Sequence, residues 1–327
     1  MIKITCWSPQ GAIQTNLSLE ECRHALQQSE NLTWVDIHKA EKLESERILR
    51  EIFGFHPLAI ADALEETHIP KIDNWEDYVC LVMRAVNPEQ ESDFIPQEID
   101  IFLGTNYIVT YHQDECLAID KIWKMTLREK WLQDRGPTQI LYHLLDETAD
   151  EFILITDKLE IKINDIEDHL FDHPDPSLLE DIFSLKRDLL NIRQIVIPQR
   201  EVLDKLARGD YPVLGKDSNI YFHDVYDHYI RLYEIIENLR DLTNSTLEIF
   251  LSVVNNRMNG IMKTLTVITT VFMPISFLAG FFGMNFFKPV LELGHWTSTP
   301  VFPIIVAAMI IFPFSMLIYM FRKGWMK

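Results

Sequence analysis

Two short stretches of this sequence carry side chains suited to binding chemistry. The first, residues 223–228, reads His-Asp-Val-Tyr-Asp-His. If this stretch is helical, Asp224 and His228 lie one turn apart on one face, and carboxylates and imidazoles at that spacing can bind a metal ion. A solvated helix face would show the same pattern, and on spacing alone it is the commoner case. The same two interpretations apply to three acids of an earlier helical stretch: Asp146, Asp150 and Glu151.

The second stretch is Gly283-Met284-Asn285, at the end of a strongly apolar run. Residues 265–282 include no charged side chain, and a second uncharged run covers 296–321. A membrane-spanning helix needs about 20 apolar residues. Only Lys288 and Glu292 carry charge between the two runs. The pattern therefore predicts two transmembrane helices joined as a tight hairpin, preceded by a water-soluble body.

Charge is distributed unevenly between the body and the predicted hairpin. The chain has 327 residues and a net charge of −19. Residues 1–260 contain 25 basic and 48 acidic side chains, whereas 261–327 contain five basic and one acidic. An acidic body argues against nucleic acid as a partner, because phosphate backbones are bound by basic patches. It suits cations, although many soluble proteins are acidic without binding them.

Cysteine usage and flanking charge predict the location of the body. The four cysteines are far apart in the chain, which is typical of free thiols in a reducing compartment: Cys6, Cys22, Cys80 and Cys116. The first residues lack the apolar run of a signal peptide. Basic residues flank the apolar runs on the side of the body: Arg257, Lys263, Arg322, Lys323 and Lys327. By the positive-inside rule, both termini are expected in the cytoplasm, with loop 286–298 on the periplasmic side of a bacterial-type inner membrane.

Hydrophobic periodicity divides the chain into three predicted domains. Residues 1–136 form a cytoplasmic α+β domain, 137–260 a cytoplasmic helical stalk, and 261–327 the transmembrane hairpin. Strand patterns cover Ile2–Trp7, 32–37, 78–86, 99–103 and 107–111, with a hairpin signal at Gly104-Thr105-Asn106. Helical patterns cover 45–53, 57–66, 117–133, 141–169 and 178–206, with Ser177 as an N-cap and a kink or break at Pro198.

One long helix is predicted to join the stalk to the membrane. Residues 216–259 contain neither Gly nor Pro, so a helix starting near 219 would continue to 282, about 95 Å at 1.5 Å per residue. Its apolar part carries a seam of small or polar side chains and methionines at steps of three and four: Asn259, Met262, Thr266, Thr269, Met273, Ser276, Gly280 and Gly283. Such a seam either mediates helix packing or lines a pore, and only an oligomer could enclose a pore.

No catalytic constellation is visible in the sequence. It lacks a Gly-rich phosphate loop and the H-E-x-x-H and G-x-S-x-G motifs. We expect neither an enzyme nor an organic cofactor. A membrane-tethered sensor or scaffold is the rival from a different functional class, but it gives no reason for the seam to continue from Asn259 to Gly283.

Several of these motifs together resemble the CorA family of divalent-cation channels. The family motif Tyr-Gly-Met-Asn corresponds to Phe282-Gly283-Met284-Asn285, and the likeness covers nearly the full chain. Further matches are Met262-Lys263-x-Leu265-Thr266, Phe272-Met273-Pro274-x-Ser276-Phe277-x-Ala279-Gly280, Tyr221-Phe222-x-Asp224-Val225-Tyr226-Asp227-His228, Phe53-Gly54-x-His56-Pro57-Leu58 with Asp62, and Arg322-Lys323-Gly324-Trp325.

The resemblance implies a funnel-shaped homopentamer in the lipid bilayer, with an α/β/α sandwich-like cytoplasmic domain. Five long helices would line a pore for Mg²⁺, and also for Co²⁺ and Ni²⁺. The resemblance places a selectivity ring at Gly283, Met284 and Asn285, hydrophobic constrictions at Met273 and Leu265, and a polar ring at Asn259. Amides and carbonyls can hydrogen-bond the waters of Mg²⁺ without removing them.

The resemblance also implies regulation by intracellular Mg²⁺ bound between subunits, through Asp62 of one subunit and Asp224 of its neighbour. Two departures from the family pattern are Lys288, in a loop that is often acidic, and Ala61, where an acid often precedes the regulatory Asp. A ZntB-like zinc transporter of the same fold is the alternative. Its family tends to vary the middle residue of Gly-Met-Asn, so Met284 favours Mg²⁺.

Overall fold

The computed structural model describes residues 1–9, 12–67, 69–89, 95–128, 136–172, 175–215, 218–284 and 301–324. The chain divides into two compact units, Met1–Leu247 and Glu248–Lys327. The boundary between them falls within one long helix.

The first unit begins with strands and short helices and continues with long helices. The strands are β1 (Ile2–Trp7), β2 (Ile13–Thr15), β3 (Leu32–His38), β4 (Lys71–Asn74), β5 (Val79–Ala85), β6 (Gln97–Leu103) and β7 (Tyr107–His112). The helices are α1 (Leu19–Leu26), α2 (Lys42–Glu51), α3 (Pro57–Glu65), α4 (Leu117–Arg128), α5 (Pro137–Asp172), α6 (Pro176–Arg208), α7 (Asn219–Gly283) and α8 (Val301–Arg322). The helix α8 belongs to the second unit, and α7 runs across the boundary.

The seven strands form one mixed sheet in the order β2-β1-β3-β7-β6-β5-β4. The pair β3–β7 is parallel and the other pairs are antiparallel. The predicted hairpin between β6 and β7 is confirmed, and the Gly104 amide donates to the Tyr107 carbonyl at 3.0 Å. A Cβ at Gly104 would lie 2.3 Å from the Tyr107 ring, so any other residue here would force that ring to move.

Helices cover both faces of the sheet, which confirms the predicted α/β/α arrangement. On one face, α1, α2 and α3 pack on a buried cluster in which Phe55 stacks on Phe102 with ring centroids 4.4 Å apart. On the other face, Trp34 of β3 meets Trp123 of α4 at 4.6 Å. The helix α5 also contacts β3, β5, β6 and β7. Alternate side chains of each strand therefore serve two separate apolar layers.

The long helices of the first unit pack in a fixed register. Two hydrogen-bonded pairs join α5 to α7: Tyr142–Asp224 and Glu167–Thr246. Residue numbers increase in the same direction along both helices, so α5 and α7 run parallel. Along α6 and α7 they run in opposite directions, as the Arg193–Glu237 bond at 2.7 Å and the Lys186–Asn244 bond at 3.1 Å indicate. This register brings polar side chains of α5 next to those of α7.

Several details of the predicted elements are wrong. Asp175, and not Ser177, caps α6, because its carboxylate accepts from the Ser177 amide and Pro176 occupies the first helical position. Of the two possibilities predicted at Pro198, a break is wrong, because α6 continues through this residue, and a kink stays a prediction. The sequence patterns missed α1, β2 and β4. The helix α4 is described as far as Arg128, so the predicted end at residue 133 lies outside the described residues.

Candidate functional site

The helix α7 carries the predicted seam on an uninterrupted backbone. It covers 65 residues, including Pro274, which removes one helical hydrogen bond. Described side chains of the seam are solvent-exposed within the single chain, with Met262 at 56% and Met273 at 64% exposure, and Leu265, which lies beside the seam, is 55% exposed. Asn259, Thr266, Thr269 and Ser276 are likewise exposed, as are Gly280 and Gly283. The chain's own packing therefore leaves these positions open.

Two seam threonines satisfy their hydroxyls inside the helix. Thr266 Oγ1 donates to the Met262 carbonyl at 2.7 Å, and Thr269 Oγ1 donates to the Leu265 carbonyl at 2.9 Å. A hydroxyl bonded to the carbonyl four residues earlier needs no other partner in an apolar medium. The threonines therefore contribute polarity to the seam without leaving an unpaired donor.

Both C-terminal helices expose apolar surface on a scale that is unusual for a soluble monomer. The most apolar window of α7 has a mean hydropathy of 1.8 and none of it is buried, and that of α8 has a mean hydropathy of 2.5 with 11% buried. Large apolar side chains exposed on α8 include Ile304, Ile311, Phe314 and Phe321. Such surface requires lipid or further protein to cover it. The chain is therefore a membrane protein with two C-terminal apolar helices.

The predicted Gly-Met-Asn motif begins at the C-terminus of α7. Gly283 is the last helical residue, and the Met284 amide reaches the Phe281 carbonyl at 3.4 Å. Met284 is 55% exposed. Asn285 lies outside the described residues, as do Lys288 and Glu292. The structure thus describes the first two motif residues at the end of the seam.

The candidate metal centre is formed by Asp146 of α5 with Asp224 and His228 of α7. One ligand atom from each of these residues lies within 4.8 Å of the other two. His228 Nδ1 is 3.0 Å from Asp146 Oδ1. The Tyr142 hydroxyl donates to Asp224 Oδ2 at 3.0 Å, which orients that carboxylate. The other residues of the motif, His223 and Asp227, are exposed and lie outside this cluster.

Electrostatics in this cluster favour an added positive charge. Burial raises the pKa of Asp146, the charges of Asp150 and Asp224 raise it further, and His228 opposes them. Burial and the two nearby carboxylates also raise the pKa of the Tyr142 hydroxyl, so it remains a hydrogen-bond donor at neutral pH. A cation bound among Asp146, Asp224 and His228 would relieve this repulsion.

The donor set fits a divalent cation. Two carboxylates supply the hard oxygen ligands that Mg²⁺ prefers, and a neutral imidazole adds a nitrogen suited to Co²⁺, Ni²⁺ or Zn²⁺. Sequence spacing had identified Asp224 and His228 but had left Asp146 undecided among three acids of α5. The missing information was the register between α5 and α7, for which the sequence offers no local signal.

The structure does not bring Asp62 to this cluster. Asp62 lies on α3, where its Oδ2 is 2.5 Å from Lys71 Nζ. The prediction joined Asp62 and Asp224 across two subunits, and the present structure contains one chain. That pairing therefore stays a prediction.

Comparisons with known proteins point to one family. The family described as "CorA-like Mg2+ transporter protein" matches residues 29–323. The YfjQ protein of Bacillus subtilis (strain 168) is 34% identical over 99% of this chain and 98% of its own length. The cobalt/magnesium transport protein CorA of Thermotoga maritima is 29% identical over 95% of this chain and 91% of its own. The complete structure of the CorA magnesium transporter from Methanocaldococcus jannaschii has a TM-score of 0.84, with 27% identity and 99% coverage of both chains.

Proposed function

The chain belongs to the CorA-like family of divalent metal ion transporters, which are not enzymes, and from that premise we propose that it is a channel that carries Mg²⁺ into the cytoplasm. Co²⁺ and Ni²⁺ would pass as similar hydrated ions. Five copies of the chain enclose the pore in a bacterial-type inner membrane, with both termini in the cytoplasm. Transport is driven by the membrane potential, which supplies about 4.6 kcal/mol per 100 mV for a divalent ion.

The observation that carries the proposal is the continuity of α7 from the candidate metal centre to Gly283. A single helix connects the residues proposed to sense the ion with those proposed to conduct it. The small and polar side chains of the seam from Asn259 to Gly283, on a helix whose other faces are apolar, support its use as a pore lining. Met273 of the seam and the neighbouring Leu265 would form constrictions that close by excluding water.

At the outer end of the seam, Gly283, Met284 and Asn285 are the proposed selectivity ring. A ring of Gly283 carbonyls and Asn285 amides can hydrogen-bond the hydration shell of Mg²⁺. Since Mg²⁺ dehydrates reluctantly, such a ring admits the hydrated ion and also releases it. A ring of carboxylates would hold the ion more tightly and slow conduction.

At the cytoplasmic end, we assign regulation to Mg²⁺ held by Asp224, together with Asp62 of a neighbouring subunit. The cluster of Asp146, Asp224 and His228 supports a cation at Asp224. Residues 1–260 carry a net charge of −23, so copies of this body repel one another without bound cations. Bound Mg²⁺ holds the subunits together and closes the pore, and loss of Mg²⁺ allows it to open.

One observation favours a second candidate ion. His228 contributes an imidazole nitrogen to the cluster, and nitrogen ligands favour Zn²⁺ over Mg²⁺. A zinc transporter of the same fold is therefore the alternative. The cluster offers two carboxylates and one imidazole, and His228 Nδ1 is hydrogen-bonded to Asp146 Oδ1, so oxygen ligands predominate, which agrees better with Mg²⁺.

Ion flux into liposomes that contain the purified protein tests the proposal. Mg²⁺ and Zn²⁺ are compared, each with and without a pH gradient, at a fixed membrane potential. We expect uptake of Mg²⁺ driven by voltage alone and slowed by Mg²⁺ inside the liposomes. Uptake of Zn²⁺ that depends on the proton gradient, without uptake of Mg²⁺, would identify the zinc alternative instead.

A further inference from the structure

The Asp62 carboxylate already forms an ion pair within the chain, with the ammonium group of Lys71. Lys71, the first residue of β4, places its Nζ 2.5 Å from Asp62 Oδ2 and 3.1 Å from Asp73 Oδ2. The side chains of these three residues are 33–42% exposed, so the group lies at the surface where an ion from solution can reach it. The Lys71 ammonium thus lies where a cation bound to Asp62 would lie.

Carboxyl groups surround Lys71. Asp100 of β6 is 2% exposed, and burial raises its pKa well above the usual range, with further contributions from Glu98, Asp62 and Glu66. The Lys71 ammonium lies within 3.1 Å of the carboxylates of both Asp62 and Asp73, and it compensates their charge.

We propose that Lys71 is a tethered competitor for the divalent cation at Asp62, and that it sets the Mg²⁺ concentration at which the regulatory site fills. This inference rests on the regulatory role proposed for Asp62. A divalent ion must displace the ammonium from Asp62 before it can bind there. The displaced ammonium keeps Asp73 as a partner, so the exchange leaves no carboxylate of this group without a cation.

The tether explains why such a competitor discriminates between ions. An ammonium on a short flexible stem has an effective concentration at Asp62 on the order of millimolar or higher. A monovalent ion from solution would interact with the Asp62 carboxylate no more favourably than the Lys71 ammonium does. A divalent ion has twice the charge and is shared with Asp224 of the neighbouring subunit. Lys71 therefore keeps the site closed to monovalent cations and shifts its Mg²⁺ midpoint upwards.

The test is substitution of Lys71 by Met, which keeps the aliphatic stem and removes the charge. Two midpoints are measured on the full-length protein: Mg²⁺ stabilisation against thermal unfolding in detergent, and inhibition of flux by internal Mg²⁺ in liposomes. A partly exposed ion pair contributes about 1 kcal/mol, so we expect both midpoints to fall about three- to tenfold. Lys124→Met, an exposed lysine on α4, is the matched control and should change neither midpoint.

Two further variants keep the test decisive. Lys71→Arg retains the positive charge and should keep the wild-type midpoints or raise them. Lys71→Gln removes the charge but keeps N–H donors, and it replaces the Met variant if that protein does not fold. A midpoint that is unchanged or raised in the uncharged variants would overturn the competitor role.

Asp62→Asn separates this inference from the proposed function. If Asp62→Asn shifts the Mg²⁺ midpoints and the uncharged Lys71 variants do not, only the competitor role is wrong. If Asp62→Asn changes neither midpoint, Asp62 does not bind the regulatory ion, and both the regulatory assignment and this inference fail. Flux of Mg²⁺ at low internal Mg²⁺ should continue in the Lys71 and Lys124 variants, since these residues lie on β4 and α4 and not on the pore helix.

Discussion

Asp146→Asn should weaken Mg²⁺ binding while it stabilises the metal-free protein. The substitution removes one of the two carboxylates in the cluster but leaves an amide oxygen that can still accept from His228 Nδ1. Burial, Asp150 and Asp224 raise the pKa of Asp146, which means that its ionised form is unfavourable in the folded state. At neutral pH the neutral Asn avoids that cost.

The magnitude follows from the loss of one charged ligand. Mutation of a residue that only supports a metal ligand reduces metal affinity about 10- to 100-fold, and we take about thirtyfold as a conservative value for the ligand Asp146 itself. At a Mg²⁺ concentration of about 100 times the wild-type Kd, binding stabilises the wild type by about 2.7 kcal/mol. For a thirtyfold weaker variant the same relation gives about 0.9 kcal/mol. For a folded unit of about 250 residues, this difference of about 1.8 kcal/mol lowers the Mg²⁺-induced rise in Tm by about 4–7 °C.

Thermal unfolding of the full-length protein in detergent, followed across a Mg²⁺ titration, measures both effects. Asp150→Asn is the matched control, because it removes an equal charge one turn along α5 from an exposed residue outside the cluster. We expect its midpoint to change less than threefold. Equal shifts for the two variants would mean that only the general negative charge of α5 matters, which would refute the argument for a metal centre.

A pH series provides an independent check of the same residue. A carboxyl with a raised pKa in the folded state binds its proton more tightly there than in the unfolded chain. Its contribution to stability is therefore present below the ordinary value of 3.8 and is lost as pH rises through the folded value. Without Mg²⁺, wild type should lose stability relative to Asp146→Asn across that window. Parallel pH curves for the two proteins would contradict the assigned environment.

Two further predictions concern the pore and the buried core. Asn285→Ala should abolish Mg²⁺ uptake by liposomes while leaving the oligomer intact by cross-linking, and persistent uptake would show that the selectivity ring is wrongly assigned. Burial, with the charge of Glu147, raises the pKa of Glu151 to about 8, and the backbone amides of Val86 and Ala118 only partly oppose this shift. Because the wild type loses stability as pH rises through the raised pKa, Glu151→Gln should have the same unfolding free energy as the wild type near pH 4.5. Above pH 8 its unfolding free energy should be higher by about 2–5 kcal/mol. A difference that is constant at every pH would contradict this prediction.

Local patterns were sufficient to predict the long elements of the fold. The absence of Gly and Pro from 216–259 predicted α7, which the structure confirms from Asn219 to Gly283. The strands β1, β3, β5, β6 and β7 are predominantly buried runs, and their composition was a strong signal. Tertiary pairing, by contrast, determines the four-residue strand β4, whose sequence Lys-Ile-Asp-Asn has little strand character.

One missed element did have a local signal. Ser18 caps α1 by accepting from the Glu21 amide, and the Glu21 side chain accepts from the Ser18 amide in return. This capping box is readable in the sequence as Ser-x-x-Glu before an apolar residue. The error at Ser177 has the opposite cause. Both Asp175 and Ser177 are good N-caps, and Pro176 decides between them because proline is favoured at the first position of a helix.

The candidate metal centre depends on a register that no local pattern contains. Asp146 and His228 are 82 residues apart and meet because α5 and α7 run parallel without a slip. Buried polar contacts adjacent to the cluster fix that alignment: Gln199 of α6 donates to the Tyr229 hydroxyl at 2.7 Å, and Thr148 lies 3.4 Å from the same oxygen. If α7 slipped by one turn, the Tyr229 hydroxyl and the Gln199 amide would lose their bond, whereas Thr148 would keep its bond to the Leu145 carbonyl. A buried group left without a partner costs about 1–3 kcal/mol. A purely apolar interface would tolerate such a slip more easily, so the polar contacts next to Asp146 and His228 hold the ligands of the metal centre together.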